Sequence, residues 1–278
     1  MARSIEALSA TYRAGRHDLD FDSACGRAAY AWHHLPAHVC DQARLLADVP
    51  EVLEDRESLT LLSVGAGPGT DVLALLEAVT SARARGELGA LRAIAAHRLE
   101  RVAAWDTSFQ ALLPPLLEQL SARDPGLTLD LPPRATSWDL TAGGLAQPPA
   151  PADLIVAANV LTELAPRGTD VLPGESAAAW RSLLEAQPDR TDLLLLDRAG
   201  APGAKGRLEA VIEIARAVDP GAQVVGPRER TTRCGCALTR RAKEIYHHVN
   251  LPTTREEDRP VRNCKTVWAW VRLVQCRS

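Results

Sequence analysis

The chain has 278 residues, 46% of them hydrophobic and 24% charged, which suffices for one large domain with an appendage or for two modest ones. No apolar run reaches the roughly eighteen residues of a membrane helix, and the N-terminal stretch lacks the apolar core of a signal peptide, so membrane and secreted classes are set aside and a cytoplasmic location is expected. The net charge of −3 hides an asymmetry: from Arg228 onward twelve basic residues face five acidic ones, a surplus of +7, against −10 for the preceding 227 residues. A basic end on an acidic body suits either a polyanion-binding face or a solvated surface with local ion pairs.

In chain order, the first 55 or so residues read as helices, with Pro36 at the first turn of a new one. Residues 59–64, LTLLSV, form an apolar strand; three glycines follow within five residues, and a helix spans 70–84. ELGALRAIAAHRLE reads as helical and RVAAWD as a short second strand, followed by a helix in SFQALLPPLLEQLSA. LTLDL and ADLIVAANV are strands, SAAAWRSLLEAQ a helix, TDLLLLDRA a strand, and RLEAVIEIARAV a helix. AQVVGP and KTVWAWVRLV close the chain as strands. Strands alternating with helices, several apolar throughout, predict a parallel sheet covered on both faces. No crossover helix separates the last two strands, so the final one is expected to run antiparallel. The predicted layout is a helical cap at 1–57 and a sheet domain at 58–278, with 228–265 as a cysteine-containing insertion that faces the acceptor.

In an open parallel sheet, ligands sit beyond the carboxyl ends of the strands, and the turn after the first strand is the usual cradle. Gly65 and Gly67 let the chain turn sharply and let a ligand approach the backbone, while the free amides of the next helix face that ligand. The third glycine, Gly69, comes one residue earlier than a dinucleotide fingerprint requires, and no lysine serves a P-loop. Both departures favour a nucleoside without a pyrophosphate. Asp106, read at the end of the second strand, has a carboxylate whose two oxygens match the two ribose hydroxyls. It lies 41 residues after Gly65, with the helix read before RVAAWD filling the excess. Capping the next helix is an alternative role for it.

SVGAGPGTD, WDTS, SWDL and ADLIVAANVLTEL, in that order, resemble the nucleoside-binding motifs of class I S-adenosylmethionine-dependent methyltransferases across residues 59–225. The resemblance implies a Rossmann-like, doubly wound, mostly parallel seven-stranded α/β sheet with an antiparallel last strand. It also implies an S-adenosylmethionine site built from Gly65, Ala66, Gly67, Gly69, Asp71, Asp106 and Thr107, with Trp138 and Asp139 beside the adenine and Asn159 beside the methionine portion or the acceptor. A narrower likeness, in AAYAWHHLPAHVCDQARLL, NVLTEL and LLLLDRAGAPGAKGRLEAVIEIAR, is to a bacterial and mitochondrial methyltransferase-like family linked to small-ribosomal-subunit assembly, whose members carry a C-terminal cysteine set that can hold a four-iron four-sulfur cluster.

Methyl transfer from a sulfonium asks the protein mainly to align nucleophile, methyl and leaving sulfur. A base is needed for hydroxyl or ammonium acceptors, and His247, His248 and His34 are the candidates, since histidine titrates near neutrality. Cys234, Cys236, Cys264 and Cys276 are numerous enough for an iron–sulfur cluster or zinc, although C-x-C is not the usual ligand spacing. Scattered buried thiols are the alternative, and structural disulfides are not expected in a cytoplasmic chain. Three functions follow: a methyltransferase acting on a small molecule or peptide, one acting on RNA or the small ribosomal subunit through the basic C-terminal region, and a non-catalytic nucleoside-binding assembly factor.

Overall fold

The computed structural model describes residues 21–142, 149–164, 170–234 and 262–274. Helix α1 (Ala24–Asp48) is opened by Ser23, whose hydroxyl accepts the Gly26 amide hydrogen at 2.9 Å. It leads through a 3-10 turn into β1 (Ser58–Val64), α2 (Thr70–Ala84), β2 (Ala93–Glu100) and α3 (Trp105–Arg123). Two short strands follow, β3 (Thr128–Asp130) and β4 (Thr136–Ser137). Then come β5 (Leu154–Ala158), α4 (Leu161–Leu164), α5 (Gly174–Glu185), β6 (Asp192–Arg198), α6 (Ala204–Val218), β7 (Gln223–Cys234) and β8 (Arg262–Arg272).

The strands form one sheet in the order β3-β2-β1-β5-β6-β8-β7, with β4 pairing beside the end of β2. All neighbours are parallel except β8, which runs antiparallel to both β6 and β7. This is the Rossmann-like doubly wound α/β sheet with an antiparallel last strand that the pattern implied. Among the described residues the two-residue β4 raises the count from seven strands to eight.

Alternation along the strands fills both faces. Leu59 and Leu61 of β1, Leu154 and Val156 of β5, and Leu194 and Leu196 of β6 join the layer that contains residues of α1, α2 and α3. Their neighbours Leu62, Val64, Ile155, Ala157, Leu193 and Leu195 join the layer under α5 and α6. Helix α1 is therefore a sheet-covering layer and not only a cap: its Leu35, Val39, Leu45 and Leu46 are buried in the same cluster as Val72, Leu75 and Val79 of α2.

Three local expectations are corrected. Pro36 lies inside α1, which passes through it unbroken; buried Leu35, Ala37 and Val39 on either side hold the helix by packing where the proline removes a ladder hydrogen bond. ELGALRAIAAHRLE is not helical, for AIAAHRLE is the second strand, and RVAAWD is a turn entering α3. Alanine favours a helix, yet here small residues sit between β1 and β3, and Ile94, Ala96 and Arg98 alternate into the interior. Finally, residues 228–234 and 262–265 of the expected insertion are ladder residues of β7 and β8.

At the amino ends of the central strands, Asp192 is fully buried and accepts from Arg56 (3.1 Å), from the Trp270 indole (2.9 Å) and twice from Arg272 (2.9 and 3.0 Å). Arg56 also reaches Asp153 at 2.6 Å. This network locks β5, β6 and β8 to the segment before β1, on the side away from the glycine turn.

Candidate functional site

A cleft of about 280 Å³ opens at the carboxyl ends of β1, β2 and β5. Its floor is the glycine turn. Gly65, Gly67 and Gly69 all have positive φ, at 66°, 49° and 86°. A β-carbon on Gly65 would meet Val160 at 2.5 Å, and one on Gly69 would meet the Phe109 ring at 2.3 Å, so these two glycines serve packing. At Gly67, which lines the cleft, a β-carbon would meet nothing within 4 Å. That open approach to the backbone is what a ligand cradle needs.

Because the second strand is 93–100, the carboxylate at its end belongs to Glu100. Its Oε2 accepts the Gly67 amide hydrogen at 2.8 Å and its Oε1 accepts that of Val102 at 2.8 Å. Burial holds its pKa above the usual carboxylate range, against the pull of those two amides. Sequence reasoning missed Glu100 because it placed the strand six residues late; the alternating Ile94, Ala96 and Arg98 was the available signal.

Asp106 stands in the first turn of α3 and does not line the cleft. Its Oδ1 pairs with buried Arg98 at 3.0 Å and accepts the Ala135 amide hydrogen at 2.9 Å, while the Arg98 guanidinium lies 3.7 Å from the Phe109 ring centroid. Asp106 thus neutralises a buried arginine and anchors the approach to β4. Ala66, Gly69, Asp71 and Thr107 are likewise not part of the cleft lining. Asp71 is buried behind the turn, where it accepts from the Ser63 hydroxyl at 2.5 Å, and burial pushes its carboxyl up to about 7.

Gly65, Gly67, Trp138, Asp139 and Asn159 do meet at the cleft. Trp138 is 6% exposed, and neither its Nε1 nor the buried Oδ1 of Asn159 has a hydrogen-bond partner among the described residues. Asp139 accepts from the Thr141 hydroxyl (2.6 Å) and amide (2.9 Å), contacts that hold its pKa below the ordinary value. Glu163, in α4, lines the cleft; desolvation, then the charges of Glu100 and Asp197, raise its carboxyl pKa above the ordinary value.

His34 does not line the cleft; its ring sits 5.1 Å from that of Tyr30, which does, and stacks on His38 at 5.3 Å. His247, His248, Cys236 and Cys276 lie outside the described residues, as do the side chains of Cys234 and Cys264. Backbone pairing sets Cys234 opposite Arg262 and Cys264 opposite Thr232. Among the described residues no group of three or more His, Cys, Asp or Glu could hold a metal ion. Cys40 is disulfide-bonded, against the expectation that the thiols stay unpaired, while Cys25 is free and exposed. Among the described residues no helix is long and apolar enough to cross a membrane.

No family model matches this chain, and no curated protein does. Among solved structures it is similar to the YcgJ protein of Bacillus subtilis, 12% identical over 84% of this chain and 99% of that one, with a TM-score of 0.43. It is also similar to a precorrin-6y C5,15-methyltransferase of Geobacter metallireducens, 14% identical over 84% of this chain and 88% of that one, with a TM-score of 0.42. A third likeness is to a SAM-dependent methyltransferase of Aquifex aeolicus, 14% identical over 85% of this chain and 93% of that one, with a TM-score of 0.42.

Proposed function

We propose that the cleft binds S-adenosylmethionine and that the protein transfers its methyl group to a small molecule or to a side chain of a peptide. The observation that carries this reading is the carboxylate of Glu100, set across the β1–β2 crevice and hydrogen-bonded to the open glycine of the turn. A carboxylate has about four acceptor positions; two hold backbone amides here, and two are left for a pair of ribose hydroxyls.

The residues present suit the nucleoside. Trp138 offers a buried indole N–H without a partner among the described residues and an apolar ring beside Asp139, as an adenine edge and face require. Asn159 offers its unpartnered Oδ1 on the β5 side, where the methionine portion would lie. When bound, S-adenosylmethionine supplies an electrophilic methyl group on a sulfonium. The chain's own part is to fix the ribose through Glu100, keep the turn open at Gly67 and align the acceptor beside Asn159.

A small acceptor suits the size of the cleft. The alternative of an RNA or small-subunit partner leans on the basic C-terminal region, but there Arg230 and Arg272 are paired with Asp48 and Asp192. Calorimetric titration with S-adenosylhomocysteine, alongside transfer of labelled methyl groups into a fractionated extract, tests the proposal. No binding by the wild-type protein sinks it. Binding without methyl incorporation into any fraction moves the weight to a non-catalytic assembly factor.

A further inference from the structure

The β5 side of the cleft has a chemistry that donor binding leaves unused. Glu163 presents its side chain to the lumen from α4. The same cleft has an aromatic wall: Phe21, Tyr30 and Trp105 contact one another with ring centroids 5.3, 5.3 and 5.6 Å apart, and all three line it. Tyr30 feels the charge of Glu163, which joins burial in raising its phenol pKa. Arg101 is the only basic residue among the described cleft-lining residues. Carboxylate and aromatic faces, with little positive charge, make a receptor for an organic ammonium.

Resting on the reading of the cleft as a methyl-donor site, we propose that the acceptor is a cationic amine, and that Glu163 orients its ammonium group and takes its proton while the Phe21–Tyr30–Trp105 wall packs its substituent.

The groups that face Glu163 support the assignment. Glu100 from β2 and Asp197 from β6 disfavour its ionised form, and Arg101 favours it. An arriving ammonium offsets that repulsion, so Glu163 ionises beside it. The ammonium then yields a proton to the Glu163 carboxylate. The freed nitrogen lone pair forms the N–CH3 bond as the C–S bond of the sulfonium breaks, and the bonding pair stays on sulfur. The products are a methylated ammonium and a neutral thioether. The proton on Glu163 passes to solvent before the next acceptor binds.

The test is calorimetric titration of the full chain, with and without S-adenosylhomocysteine, using amines from butylamine to phenethylamine and the alcohols of the same shape. The expected result is at least one amine that binds ten-fold or more tightly than its alcohol, a preference lost in Glu163→Gln with S-adenosylhomocysteine affinity unchanged. Equal binding of amine and alcohol across the series overturns the proposal. So does an amine preference that survives Glu163→Gln, and so does a fall in S-adenosylhomocysteine affinity in that variant, which would assign Glu163 to the donor. Amine preference without any nucleoside binding overturns the donor reading and leaves the cation site standing.

Discussion

Glu100 accepts the amide hydrogen of Gly67 at 2.8 Å, tying the end of β2 to the turn after β1. The bond spans two neighbouring strands at the crevice where an open α/β sheet binds its ligand. It also makes the carboxylate and the turn one unit, so a change in either is read by the other.

Glu100 and Asp106 are therefore expected to behave in opposite ways. Glu100→Ala removes the ribose acceptor and lowers S-adenosylhomocysteine affinity by ten-fold or more, the effect of about 1.4 kcal/mol from a lost charge-assisted hydrogen bond. Asp106→Ala leaves affinity within about three-fold but uncovers the buried Arg98, whose side chain is 1% exposed, at a cost of roughly 3 kcal/mol in stability. Calorimetry paired with urea unfolding of both variants checks this; the reverse pattern would return the ribose to Asp106.

The three glycines of the turn divide in the same way. Gly69→Ala drives a β-carbon into the Phe109 ring at φ 86° and is expected to lose about 2–3 kcal/mol of stability. Gly67→Ala meets no atom and costs only about 1 kcal/mol for its left-handed backbone, yet it obstructs the ligand's approach. Unfolding midpoints and S-adenosylhomocysteine titrations of the two variants separate packing from binding, and equal loss of affinity in both would refute the division.

Asp71 predicts a pH effect. Its folded-state pKa is raised from 3.8 to about 7, chiefly by burial. Between those values the native state binds more protons than the unfolded one, so this group makes stability fall as pH rises from about 4 to about 7, with no further change above. Asp71→Asn removes that slope, keeps a hydrogen-bond acceptor for Ser63, and gains on the wild type as pH increases. Urea titrations at pH 5, 6, 7 and 8, compared as a difference between the two proteins, measure it; parallel curves would dismiss the buried carboxyl as the cause.

The Asp192 network lies at the far end of the sheet from the cleft. Asp192→Ala leaves Arg272, Arg56 and the Trp270 indole without their shared acceptor, and a loss of roughly 3–5 kcal/mol is expected. Nucleoside affinity should hold in the fraction that stays folded. A stability change under about 1 kcal/mol would mean that the arginines find new partners in water.

Most of the chain's architecture was legible because its strongest signals are local. An apolar strand broken by glycines, the strands 154–158 and 192–198, and the amphipathic helix 204–218 each depend on residues close in sequence. Those same signals located the turn at Gly65, whereas the cleft residues Trp138, Asp139 and Asn159 were expected only from the resemblance of their motifs to class I methyltransferases.

The misplaced second strand shows where local reading stops. AIAAHRLE is a good helix by propensity, and only its place between β1 and β3, with a ladder on each side, makes it a strand. That shift of six residues made Glu100, in place of Asp106, the carboxylate at the end of the second strand and turned Asp106 into the partner of a buried arginine. The joining of Glu163 with Phe21, Tyr30 and Trp105 is of the same kind, since it depends on how α1 crosses the sheet. By itself, the sequence determined which segments are regular, which way the last strand runs and where the turn lies, because periodicity and backbone chemistry act over a few residues. Only the tertiary structure decided which carboxylates line the cleft, because that depends on strand register and on which charges burial forces into pairs.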